Sequence, residues 1–245
     1  MPISKNFSSI HEQQFEITFL NCYPNGYLKY TDLCNLLQLT AGQHADLGGI
    51  SFTDMQIHNQ AWVMSRMRLE IDKLPKWRDL VTIKTWIKTL ENSRSIRCME
   101  MYLNGEKIVG CETYWAVINT KTRRPEAIAL PYEHFEKFEN HATKEPTKKI
   151  DININSIALG NRKVVLSDLD VVNHVNNVKY MEWCFDYENP EKLIRQEIKS
   201  LCINFMRELN LNDEAHINKM EINNKTTYTI SKESKNAYAL QIEWK

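Results

Sequence analysis

Between Ser167 and Asp186 the chain reads SDLDVVNHVNNVKYMEWCFD, with two aspartates, three asparagines and one histidine in its first eleven residues. Asp168 and Asp170 fall in a turn between a strand and a helix. His174 falls at or just before the first helical turn, with Asn176 and Asn177 inside it. A helix start offers unpaired N–H groups and the positive end of the peptide dipoles, which suit a developing oxyanion. A nearby carboxylate can deprotonate water, and an imidazole can hold or protonate a leaving group. Acyl transfer to water, without a serine or cysteine nucleophile, is therefore open to these residues. The same side chains would also serve as a helix cap and turn bonds. Asp170 with His174 lacks third and fourth ligands, so no metal is expected.

The rest of the composition narrows the classes. Lys plus Arg equals Asp plus Glu at 31 each, so no overall field points to nucleic acid. Basic clusters at Lys121, Arg123 and Arg124, or at Lys144, Lys148 and Lys149, remain as local docking points for an acidic partner. The N-terminus has no apolar signal core, and no run approaches the ~18 apolar residues of a membrane span. Six scattered cysteines without a CxxC pair argue for reduced thiols in a cytoplasm rather than a zinc site or disulfide scaffold. With only seven glycines, the GxGxxG, P-loop and GxSxG patterns are absent, and so is HExxH. No cofactor is expected.

The positioning elements follow from periodicity. Residues 15–20 read as a strand. Leu33, Leu36, Leu37, Leu39, Ala41 and Ala45 make a helical stripe over 31–47, with Thr31 or Asp32 as N-cap and Gly48-Gly49 as the stop. Strands follow at 61–71, 80–90, 95–103 and 107–119, the last two joined by a hairpin at Asn104-Gly105. The charged stretch 131–155 is a connector with a short helix near 132–138. The order then repeats: a strand in RKVVLSDLD, a helix over 175–187 that is extended or followed by another through 192–198, and strands at 199–209, 214–223, 225–233 and 237–244, with a turn at Asn223-Asn224. A helix followed by its own antiparallel sheet, twice, is an α+β architecture by internal duplication. Loose alignment of the two pre-helix turns sets Tyr23 opposite Asp170 and Tyr27 opposite His174. Only the second copy holds a carboxylate and an imidazole.

The pattern SDLDxxxHVNNVKYxxW closely resembles the signature of the acyl-ACP thioesterases of plant plastids and bacteria, and the chain is identified as a bacterial-type member. WVMSRMRLEIDKLPKWRDLVTIKTWI (62–87) and YWAVINTKTRRP (114–125) resemble that family's first repeat, and CINFMRELN its glutamate-bearing strand. The resemblance implies a double hotdog: two long helices, each wrapped by an antiparallel sheet. Its repeats would span 1–140 (acyl binding) and 159–245 (catalysis), with a linker at 141–158. It implies hydrolysis of the fatty acyl thioester of acyl carrier protein, with that acidic protein as partner. A homodimer is allowed and not required. Asp170, His174 and Glu208 match the family's catalytic residues. The family's asparagine two places after the aspartate is Val172 here. Asn173 takes that role through a shifted turn, or Asn176 or backbone groups substitute. The cysteine that often follows the glutamate is Leu209 here, which excludes a cysteine mechanism at that place. Strict alternation along 201–209 turns Glu208 away from the helix unless a bulge or strand end near Arg207 re-aims it.

Leu33, Leu37, Trp62, Met64, Met67 and Trp115 are candidates for an apolar acyl slot, although helix and strand stripes need the same residues as core. An acyl-CoA thioesterase and a non-catalytic acyl-binding protein of the same fold are the competing readings.

Overall fold

The computed structural model describes residues 3–152 and 156–245, so positions 153–155 of the expected linker lie outside the described residues. The chain divides into two compact units, 1–147 and 148–245. In the first unit, strand β1 (Ile10–Glu16) precedes helices α1 (Tyr30–Leu47) and α2 (Phe52–Ile57). Strands β2 (Gln60–Ile71), β3 (Leu80–Glu91), β4 (Arg94–Leu103) and β5 (Glu106–Asn119) follow. They pair antiparallel in the order β1-β3-β4-β5-β2. In the second unit, β6 (Ile157–Lys163) precedes α3 (Asn177–Phe185) and α4 (Pro190–Ile194), then β7 (Ile198–Phe205), β8 (Glu214–Ile222), β9 (Lys225–Lys232) and β10 (Lys235–Trp244). Their antiparallel order is β7-β10-β9-β8-β6.

The apolar face of α1 follows the helical period: Tyr30, Leu33, Leu37, Ala41 and His44 are buried. Leu39, expected on that stripe, points elsewhere and is 59% exposed. The N-cap is Lys29, without a side-chain cap bond. Asp32 lies instead in the first turn, where its charge suits the dipole, and it accepts from Asn21 Nδ2 at 2.9 Å. At the far end Gly49 has φ +72°, a conformation that favours glycine. A Cβ on Gly48 would stand 2.0 Å from Phe135 Cζ, so this ring can seat itself only on a bare backbone. The hairpin at Asn104-Gly105 forms, with Leu103 opposite Glu106 and positive φ at both turn residues.

Three expected elements move. The first strand runs over 10–16 rather than 15–20, because pairing with β3 (Ile10 opposite Trp86) sets its place; Phe19–Asn21 is a 3-10 turn. Near 132–138 there is no helix. Lys137 bridges Ile87 in parallel, and Phe138 N–H donates to Ile87 O at 3.1 Å, so the strand edge outcompetes a local helix. The connector is also tied through Glu70, whose carboxylate accepts from the N–H groups of Lys144 (2.7 Å) and Glu145 (3.2 Å). The second helix covers 177–185 rather than 175–187, and of the two alternatives beyond it the separate helix is the one that forms. Helix α3 ends at Phe185, and α4 starts afresh at Pro190 with Asn189 as its cap.

Candidate active site

The loop before α3 is built by its own backbone. Asp170 N–H donates to His174 O (2.8 Å), and Asn173 N–H donates to Asp170 O (3.1 Å). Leu169 bridges Val175 across the base of the loop. Asn173 holds φ +63°, a left-handed position that asparagine tolerates. The Asp170 side chain reinforces this frame: Oδ1 accepts from Val172 N–H (2.9 Å) and His174 N–H (3.2 Å). No group among the described residues bonds its other oxygen. The tip is solvated, with Val171 90% exposed.

Helix α3 opens two residues later than expected. Asn176 is its N-cap, with Oδ1 accepting from Val178 N–H at 3.0 Å, so that oxygen is committed to the helix rather than to a substrate. Asp168 is not the cap of α3. It is buried, accepts from Val165 N–H at 2.9 Å and lies 3.5 Å from Arg162 Nη2.

Glu208 reaches the loop because β7 stops early. The strand ends at Phe205, and the N–H groups of Met206 and Arg207 both donate to Ala237 O, at 2.8 and 3.1 Å. Two residues against one partner break the alternation. The chain then leaves the sheet, Val175 N–H donates to Leu209 O (2.9 Å), and His174 bridges Asn210. Glu208 Oε2 comes to 3.4 Å from His174 Nε2, both side chains half-buried at 32% and 26% exposure. Nearby, the Tyr180 hydroxyl oxygen accepts from Leu209 N–H at 3.1 Å. Burial pushes the Tyr180 hydroxyl pKa up, and the charges of Glu208 and Asp170 add to that, so it stays protonated.

The first unit repeats this frame bond for bond. Tyr23 N–H donates to Tyr27 O (2.8 Å), Gly26 N–H to Tyr23 O (2.8 Å) and Leu28 N–H to Pro75 O (2.9 Å). Lys76 N–H donates to Asp79 Oδ2 (2.7 Å) where Asn210 N–H donates to Asp213 Oδ2 (2.9 Å). By this register Tyr23, Tyr27 and Leu74 stand where the second unit has Asp170, His174 and Glu208. One frame carries a carboxylate, an imidazole and a second carboxylate, and the other carries none.

The first unit holds a cavity of about 360 Å³, walled by Ala41, Ile50, Trp62, Ile87, Arg97 and Trp115 among others. Trp62 and Trp115 were expected there. Leu33, Leu37, Met64 and Met67 do not line it; they are buried in the core, as the stripes of α1 and β2 require. Sequence reasoning missed Arg97. The signal was its place in β4, in alternation with Ser95, Met99 and Met101 on the buried face. Lys121, Arg123 and Arg124 lie exposed in the turn after β5, built on Asn119 Oδ1, which accepts from the N–H groups of Lys121 and Thr122 at 2.9 Å each. No cluster among the described residues could hold a metal ion. No helix among them is long and apolar enough to cross a membrane.

Comparison with known proteins places the chain by family and fold. A palmitoyl-acyl carrier protein thioesterase of Cuphea hookeriana chloroplasts is 29% identical over 216 residues, covering 81% of this chain and 52% of its own length. The chain thus spans about half the length of that plant relative. The crystal structure of an acyl-ACP thioesterase from Bacteroides thetaiotaomicron superimposes with a TM-score of 0.88 at 24% identity, over 97% of this chain and 98% of the other. A 12:0-ACP thioesterase from Umbellularia californica gives 0.81 at 21% identity, over 97% and 98%. At such identities the likeness establishes the fold, the hotdog arrangement of each unit. The models of the acyl-ACP thioesterase N-terminal and C-terminal domains match residues 8–134 and 153–245. With both family models matched in order, the chain belongs to the acyl-ACP thioesterase family.

Proposed function

We propose that this protein hydrolyses the thioester between a fatty acyl chain and acyl carrier protein, releasing free fatty acid and the carrier thiol and so ending chain elongation. The observation that carries the reading is the convergence of Asp170, His174 and Glu208 on one loop whose structural twin has Tyr23, Tyr27 and Leu74. Water is the nucleophile. The two backbone N–H groups on Asp170 Oδ1 fix its carboxylate, and the other oxygen takes the proton from water. Glu208 orients His174, which relays that proton to the leaving thiolate as the thioester C–S bond breaks. The start of α3 places the positive end of its dipole towards the oxyanion. Asn173 contributes its left-handed turn and an exposed amide at the loop tip.

The first unit is the acyl-binding half, and its cavity between α1 and the sheet receives the chain. The exposed turn of Lys121, Arg123 and Arg124 meets the acidic carrier protein. The six thiols, five of them buried, fit a reducing cytoplasm.

The test is free fatty acid released from a panel of acyl-ACP and acyl-CoA thioesters, quantified by mass spectrometry. Preferential release from acyl-ACP is expected. Equal turnover of the CoA esters would transfer the protein to the acyl-CoA reading, and no release above background would make it a binding protein.

A further inference from the structure

The cavity wall of the first unit contains a group that an unsubstituted hydrocarbon chain does not need. Arg97 is only 6% exposed. Its Nη1 donates to His44 Nδ1 at 2.7 Å and to Thr85 Oγ1 at 3.2 Å. His44 is a neutral partner: its Nε2 donates to Ser8 O at 2.9 Å, which leaves Nδ1 as acceptor. No carboxylate among the described residues forms an ion pair with Arg97, although Asp46 lines the same cavity. The Nε–Nη2 edge, the fork that grips a carboxylate through two parallel bonds, has no acceptor among the described residues. Burial lowers the guanidinium pKa to about 10, so the group is still a cation at neutral pH. A buried cation without a counter-charge is costly, and Arg97 lines the same cavity as Ile50, Trp62, Ile87 and Trp115.

We propose that this cavity binds an apolar chain ending in a carboxylate, with the carboxylate on the Nε–Nη2 edge of Arg97 and the chain against Trp62 and Trp115. Two molecules present that chemistry: a free fatty acid, and an acyl thioester whose far end bears a second carboxyl group. The inference rests on the first unit as the acyl-binding half. Binding is therefore measured without turnover, so that it fails separately from the hydrolytic reading.

Calorimetric titration of the wild-type protein with decanoate and with decanol comes first and needs no variant. Decanoate should bind at least ~10-fold more tightly, the range for a charge-assisted pair. In Arg97→Gln, which keeps an amide donor for His44, that ratio should fall to about one while decanol binding stays within roughly twofold. Equal wild-type affinities, or a ratio unchanged in Arg97→Gln, would overturn the proposal. Turnover then separates the sources. Inhibition by decanoate but not decanol identifies the free acid, and preference for a carrier-bound decanedioyl chain over a decanoyl chain identifies the doubly carboxylated substrate. Either supports the site; the absence of both counts against it.

Discussion

Replacing Asp170 by asparagine isolates one oxygen. In the wild type, Oδ1 holds the loop through the N–H groups of Val172 and His174, while the second oxygen has no partner among the described residues. Asparagine keeps an amide oxygen for those two donors and substitutes NH2 for the second oxygen. The structural cost is two charge-assisted bonds made neutral at a half-exposed site, about 1 kcal/mol in all after allowance for screening. That corresponds to a melting shift of about 2–4 °C for a chain of this size. Loss of a general base costs far more, ~10²–10⁴ in rate. Free fatty acid release from acyl-ACP should therefore fall by at least ~100-fold in a protein that melts nearly normally. Asp170→Ala, which strips the acceptor as well, should match it in activity and be less stable by about a further 1–2 kcal/mol. An Asp170→Asn protein that retains more than about a tenth of wild-type release while folded would refute the assignment and make Asp170 a loop brace.

Three other perturbations test different parts of the molecule. His44 is buried beside Arg97, and burial followed by the Arg97 charge holds its pKa down to about 3. The unfolded chain takes up that proton below about 6.5 and the folded one does not, so stability falls as pH drops through this window. The loss is about 2 kcal/mol by pH 5, measured by urea unfolding, and this slope should vanish in His44→Gln; persistence would reassign it. Gly48→Ala should cost about 1–3 kcal/mol through the clash with Phe135, read from thermal melts, and a neutral result would mean the ring moves freely. Reversing Lys121 and Arg124 to glutamate, sparing Arg123 with its φ of +59°, should cut acyl-ACP turnover about tenfold at low salt. It should leave acyl-CoA turnover unchanged, and an equal loss on both would remove the docking role.

The parts of the fold that were legible in the sequence are those whose signals are local. Asn104-Gly105 sits between alternating strands, and Asn223 turns with φ +56° between β8 and β9. The duplication was legible because Tyr23/Tyr27 and Asp170/His174 keep one spacing. The elements that shifted were decided by partners distant in sequence. Residues 10–16 are poor in β-branched side chains and become a strand through β3. The 132–138 stretch has the charge pattern of a helix, and the edge at Ile87 claims it. Helix α2 was missed although Ser51 and Asp54 form a capping box, because six residues carry too little periodicity to register. At the site, a bulge or strand end near Arg207 was needed to aim Glu208 at His174, and the pairing with Ala237 that supplies it lies far along the chain. Arg97 was hidden by its type, since a charged residue in a strand is read as solvent-facing until a cavity is seen beside it.

The repeated backbone frame gives this protein an internal reference. Tyr23, Gly26, Tyr27, Leu28 and Pro75 hold one copy of the loop through the same N–H···O=C links that hold the other, with neither carboxylate nor imidazole at the matching positions. Shape and reactivity are thus specified by different atoms. The main chain and the aspartates at 79 and 213 set the geometry, and three side-chain positions differ between the copies without altering it. A fold arranged this way can exchange chemistry without redesigning its support. Substitutions at 170, 174 and 208 can be judged against a natural version of the same loop, with Tyr23, Tyr27 and Leu74, within the same molecule.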